Sequence, residues 1–118
     1  NNFINASILN TYLEAIATAI KFGIKKNFLI NAIDQATTGK NHPYFKKIKD
    51  GILMKNYNSG FTLNLLTKDV HIANNLIKKY VKNATVSSNI LKLLKKSKKK
   101  LGKNSDQLKL YKMWSNTI

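Results

Sequence analysis

The chain has no cysteine, no arginine, one proline and only five acidic residues. Without cysteine there is no disulfide framework, no thiolate metal site and no sulfur redox chemistry, and a reducing compartment is permitted. A cytoplasmic location is accordingly expected. Two histidines and five well-spaced acids give no metal cluster of the usual spacing. The five glycines stand far apart, so no phosphate-cradling glycine loop is present. A nucleophile with a base would need Ser, Thr or Lys near His42 or His71, and neither histidine lies in a recognisable motif. A structural role is the simpler reading of both. By itself the chain holds no complete catalytic apparatus.

What is abundant is lysine. All 21 cations are Lys, and the net charge is +16. Such a charge invites a nucleic-acid or anionic-membrane partner. Arg, however, is the residue that forks onto phosphates and guanine edges, and its absence argues against specific nucleic-acid recognition. A composition heavy in Lys, Asn and Ile with no Arg is also what an AT-rich coding sequence yields. The densest basic stretch, residues 91–103 (LKLLKKSKKKLGK), places leucines on one helical face among lysines and reads as a solvated face over a core.

Hydrophobic residues make up 43% of 118 positions, enough for one folded domain spanning 1–118. The apolar start carries Glu14, and a carboxylate at mid-membrane costs about 2.5 to 3.5 kcal/mol, so no membrane partner is expected. The same start has neither a first Met nor a basic flank, so a signal peptide is not expected and the chain reads as an excised piece.

The periodicity is helical throughout, with no alternating β pattern. Phe3, Ala6, Leu9, Leu13, Ile16 and Ile20 define a long helix over 3–22, apolar around much of its circumference and so expected to be buried on several sides, with Gly23 ending it. Asn27 is placed to cap a second helix with Leu29, Ala32, Ile33 and Ala36 on one face, which ends before Thr37-Thr38-Gly39. Asn41 or His42 before Pro43 opens a short third helix that Gly51 closes, and 54–60 is a loop. Leu65, Asp69, Ile72, Leu76 and Tyr80, doubled by Leu66, Ala73 and Ile77, predict a fourth helix over 62–81. Ser87 or Ser88 caps a fifth that runs to about Leu101, and Asn104 with Gln107 resembles a capping box before a short last helix with Leu108, Tyr111 and Trp114. The expectation is an all-α, irregular bundle of about six helices.

Residues 57–70, YNSGFTLNLLTKDV, carry the most specific pattern. They resemble the Y-x-x-G-F-x-x-x-L-x-x-K-D-L signature of the C-terminal domain of 3-hydroxyisobutyrate dehydrogenase and the other β-hydroxyacid dehydrogenases, with Tyr57, Gly60, Phe61, Leu65, Lys68 and Asp69 in place and Val70 where Leu is frequent. Asn1-Asn2, Glu14-Ala15 and Gly23-Ile24 match the K-x-x-N-N, E-A and G-[LIV] features of the family's inter-domain helix at the same spacing. Thr37-Thr38-Gly39 and Gly102…Ser105-Asp106 fall where relatives have their S-x-G turn and final Asp-containing helix, so the likeness covers the whole chain.

The resemblance implies a fold like the C-terminal domain of 6-phosphogluconate dehydrogenase and a role as the substrate-binding and dimerisation domain of an NAD(P)-dependent oxidoreductase acting on a CH–OH group. In such enzymes an N-terminal Rossmann domain, absent from this chain, binds NAD or NADP, and a lysine moves the proton. That lysine would stand three residues before Asn1, so no catalytic residue is expected within the chain, which is predicted to be inactive and to bind no cofactor alone. Carried over by position, Asn2 is the substrate-binding amide, and Lys68 and Phe61 are cofactor-binding; Lys68 is otherwise one more surface lysine and Phe61 otherwise a core aromatic. Asp69 reads as a structural carboxylate with a buried or capping partner, and Tyr57 as packing. Residues 82–86 depart from the family's Pro-rich V-P-[LI]-P segment. The implied partners are the enzyme's own Rossmann domain, a second copy through the helical domain, and a small hydroxyacid such as 3-hydroxyisobutyrate or tartronate semialdehyde. A free-standing basic helical module for nucleic acid or anionic membrane is the competing reading.

Overall fold

The first helix fixes the frame. In the computed structural model, which describes residues 1–36 and 45–115, α1 runs Asn2–Phe22, about 31 Å at 1.5 Å per residue. Its stop is chemical: Gly23 takes φ 119, its N–H bonds Ile20 O and the Ile24 N–H bonds Ala19 O, both at 3.1 Å. That pair of bonds is a Schellman closure, whose left-handed residue is a position for glycine. Ala6, Leu9, Leu13, Ile16 and Ala17 are buried against the other helices. The opposite flank, with Ile4, Thr11, Glu14, Ala15, Thr18 and Phe22, remains open. Burial is therefore one-sided, and less extensive than the apolar circumference suggests. By length and composition α1 would suit a membrane span, a test that the core helix of a globular protein also passes.

After that turn, α2 is Lys26–Gln35 and α3 is Phe45–Met54. Lys25 occupies the cap of α2, and Asn27 lies inside the first turn and does not cap. Only Ile30 of α2 is fully buried. Phe45 seats α3 by packing on Tyr12, ring centroids 5.4 Å apart. Gly51 does not close α3, as expected from the sequence, but sits buried inside it, where a Cβ would come within 3.3 Å of Leu108 Cδ1. The glycine serves close packing, and the helix ends at Met54 instead. The turn at 37–39 and the opening around Asn41, His42 and Pro43 lie outside the described residues.

Two antiparallel helices complete the core: α4, Leu63–Tyr80, and α5, Thr85–Leu101. Thr62 caps α4, its Oγ1 accepting from the Leu65 N–H at 3.3 Å. The buried stripe is Leu63, Leu66, Val70 and Asn74, whereas Leu65, Ile72, Leu76 and Tyr80 face outward. Of the row expected from the sequence, Leu65, Ile72, Leu76 and Tyr80 are exposed and only Asp69 is partly covered, whereas the doubling row of Leu66, Ala73 and Ile77 is buried or half-buried. Ser87 and Ser88 do not cap α5, which starts after Ala84. The Ser87 hydroxyl donates to Oδ1 of Asn74 at 2.9 Å and ties α5 to α4, while the single Ser88 hydroxyl hydrogen is shared between Ala84 O at 3.0 Å and the same Oδ1 at 3.2 Å. Leu91 and Leu94 enter the core while Lys92, Lys95, Lys96, Lys99 and Lys100 are exposed, as expected for a solvated basic face.

A 3-10 turn, Gln107–Leu110, leads into α6, Tyr111–Trp114, and together they bury Leu108, Leu110 and Tyr111. The cap is Asp106, not Asn104: its Oδ1 accepts from the Leu108 N–H at 2.9 Å. Six α-helices and no strand occur among the described residues, so the all-α bundle is borne out. The core is continuous from α1 to α6.

Candidate functional site

At the start of α1 an amide and a carboxylate meet. Nδ2 of Asn2 donates to Oδ2 of Asp69 at 2.7 Å, joining residues 67 positions apart. An ionised carboxylate only accepts, so the pairing decides which way the amide faces. The Asn2 carbonyl oxygen turns toward Asn5, whose Nδ2 donates to it at 3.4 Å. The second N–H of Nδ2 is left to donate elsewhere. Beside the pair lies a cleft of about 370 Å³ lined by Asn1, Asn2, Phe3, Asp69, Ile72 and Ala73. It combines apolar walls with one oriented amide donor and one carboxylate, the make-up of a small-molecule site.

A second set of bonds holds the entry to α4. The Asp106 carboxylate accepts from the Ser59 N–H at 2.8 Å, the Gly60 N–H at 3.1 Å and the Ser59 hydroxyl at 3.0 Å. Gln107 N–H bonds Phe61 O at 2.9 Å, Leu63 N–H bonds Ser105 O at 2.7 Å, and Asn64 N–H bonds Lys103 O at 3.0 Å. Thr62 and Asp106 form an isolated antiparallel bridge. The Gly60 turn, at φ 81, is thus fastened to the far end of the chain, and α4 is aimed from that fastening. Asp69, two turns along α4, reaches Asn2 because of it.

Of the residues nominated from the sequence, only Asn2 lines this cleft. Lys68 is exposed on α4 next to Asp69. Phe61 is partly buried against the core. Tyr57 also packs on the core, with the Lys112 ammonium 5.5 Å from its ring centroid. His71 is exposed and pairs with Asn75 at 3.3 Å, with no nucleophile beside it; His42 is outside the described residues. Asp69 is the cleft residue that sequence reasoning assigned to structure alone. Its signal was visible: a carboxylate on an otherwise apolar stripe needs a partner.

Among the described residues, the Gly60 turn offers no cradle for a dinucleotide pyrophosphate. The one glycine turn near the matched motif has its amides spent on Asp106, and a carboxylate there repels a pyrophosphate. Among the described residues no three His, Cys, Asp or Glu side chains group to hold a metal ion.

Residues 1–114 match the family described as the NAD-binding domain of NADP-dependent 3-hydroxyisobutyrate dehydrogenase. The chain belongs to that family, and with it to the domains of NAD(P)-dependent dehydrogenases. No curated protein matches it.

Proposed function

We propose that this chain is the substrate-side and dimerisation domain of an NAD(P)-dependent β-hydroxyacid dehydrogenase similar to 3-hydroxyisobutyrate dehydrogenase. The observation that carries the reading is the 2.7 Å bond from Asn2 to Asp69. It joins the two motifs that resemble the family, one at the start of α1 and one on α4, across a cleft of small-molecule size.

In this reading Asn2 is the substrate-binding residue, donating its remaining amide N–H to the hydroxyl or carboxylate of a short hydroxyacid. Asp69 is a positioning residue that fixes the amide's orientation in advance, so that binding requires no reorganisation. Lys68 and Phe61 contribute at the edge of the site, toward the cofactor. The nicotinamide and the proton-transferring lysine belong to a unit outside these residues, so the 118 residues alone turn over no hydroxyacid. Self-association rests on the open flank of α1, where Ala15, Ala19, Phe22 and Ile24 line an uncovered apolar groove.

The test is Asn2→Ala in the complete enzyme, assayed with NAD or NADP and short 3-hydroxy acids. A loss of kcat/KM on the order of 100-fold is expected from a misplaced substrate, with the melting temperature little changed. An unchanged kcat/KM removes Asn2 from the site.

A further inference from the structure

Beyond the far end of α1, three lysines that are distant in sequence converge. Lys26 in the first turn of α2, Lys55 just past α3 and Lys112 in α6 line a cavity of about 290 Å³ with Tyr57 and Tyr111. This cavity shares no residue with the cleft at Asn2, which lies at the opposite end of α1.

Three lysines lining one cavity repel one another, which is unfavourable unless something offsets it. Among the described residues, the Tyr57 ring under Lys112 offsets part of it and no carboxylate does. No carboxylate lines the cavity, and the five acids of the chain lie elsewhere. Asp34 pairs with Lys49 at 3.0 Å, Asp69 holds Asn2, and Asp106 holds Ser59. Glu14 lines the groove on α1, and Asp50 sits on α3. Lys55 is exposed, but the other two are not splayed into solvent like the exposed lysines of α5. Lys26 and Lys112 are half-buried, and Lys112 is held over the Tyr57 ring. Lys55 adopts a left-handed φ of 54, an uncommon conformation for a side-chain-bearing residue. Helix α2 also begins here with no side-chain cap, so its first-turn N–H groups add partial positive charge.

The phenols complete a surface of donors. Tyr111 is buried, and burial raises the pKa of both hydroxyls, with the neighbouring Tyr57 raising Tyr111 further. Both therefore stay protonated through the neutral range and can donate. Three cations and two neutral donors, with no acceptor carboxylate, match a ligand whose exposed atoms all accept and which carries more than one negative charge. Phosphate meets both conditions, and lysine binds it as a point charge.

We propose that this cavity is a binding site for a small dianionic phosphate group, either free phosphate or the phosphate of a monoester. The site is independent of the dehydrogenase reading. The test titrates the protein with inorganic phosphate and with glycerol 3-phosphate at constant ionic strength, following heat and melting temperature, with chloride as reference. The double variant Lys55→Gln/Lys112→Gln is compared with Lys92→Gln/Lys95→Gln, which removes the same charge from the exposed groove between α4 and α5. Tyr57→Phe/Tyr111→Phe removes the donors without altering charge. Saturable binding at one site is expected, weakened at least tenfold by the first double variant and less than twofold by the second, with helical circular dichroism intact. Tighter binding of the ester identifies a phosphorylated metabolite as the ligand, and equal binding identifies free phosphate. Stabilisation no greater than that from chloride, or equal losses in both lysine variants, overturns the site.

Discussion

The clasp around Asp106 and the corner between α1 and α2 solve the same problem, redirecting the chain, in opposite ways. At the clasp, main-chain and side-chain hydrogen bonds join residues 59–64 to 103–107. At the corner, the turn bonds are local, to Ala19 and Ile20, and the docking is apolar and incomplete. Phe22 and Phe28 are 86% and 71% exposed there. A polar clasp sets direction, which a site needs. An apolar corner leaves surface, which a partner needs.

The largest expected effect lies at the clasp. Asp106→Ala orphans the Ser59 and Gly60 amides and uncaps the 3-10 turn. Bonds to a charged acceptor contribute about 1.5 to 3 kcal/mol each and are not additive, so a loss of about 3 kcal/mol is expected in urea unfolding. Phe28→Ser, at the corner, should change stability by less than about 0.5 kcal/mol. Equal losses would erase the contrast between the two regions.

The corner has its own assay. Light scattering should show a dimer that is maintained or tightened as salt rises, because screening within about 8 Å at physiological strength weakens the repulsion between two highly positive copies. Ala15→Asp, on the uncovered groove, should weaken association at least tenfold, or about 1.4 kcal/mol. A strictly monomeric protein at high concentration and high salt would mean that the open flank of α1 is not an interface.

Helix existence was legible in the sequence because the apolar period is strong and a stop such as Gly23 is local chemistry. Which face is buried was not. On α4, Leu65, Ile72, Leu76 and Tyr80 form as regular a stripe as Leu63, Leu66 and Val70, and only tertiary packing chooses between them. Serines and glycines misled for a related reason. Ser87 and Ser88 look like caps but bond Asn74 on the neighbouring helix, and Gly51 looks like a stop but admits Leu108. Their partners are long-range and leave no mark in the local pattern. Of the site, Asn2 could be nominated by motif and Asp69 marked as a carboxylate in need of a partner, whereas their pairing became visible only when α1 and α4 were set side by side.

Two smaller effects sharpen these points. Ser87→Ala removes one of two donors to a buried Asn74, 4% exposed, and should cost about 1 kcal/mol by denaturant unfolding. Ser88 can turn its one hydroxyl hydrogen from Ala84 O to that oxygen, so a loss above about 3 kcal/mol would show a role for Ser87 beyond the bond. In alkaline titration, Tyr12, Tyr57 and Tyr111 should ionise above the ordinary value of 10.0 because burial disfavours the phenolate. Tyr57→Phe should bring Tyr111 down, since the charge at Tyr57 is one of the two causes that raise it. A Tyr111 unaffected by that change would separate the two phenols.

We propose that Asp69 acts on catalysis through Asn2. A double-mutant cycle in kcat/KM of the complete enzyme, with Asn2→Ala, Asp69→Asn and the pair, tests it directly. Each single change should lower kcat/KM, and Asp69→Asn should add nothing once Asn2 is Ala, because there is no amide left to orient. Losses that multiply in the double variant would contradict it and assign Asp69 a role of its own.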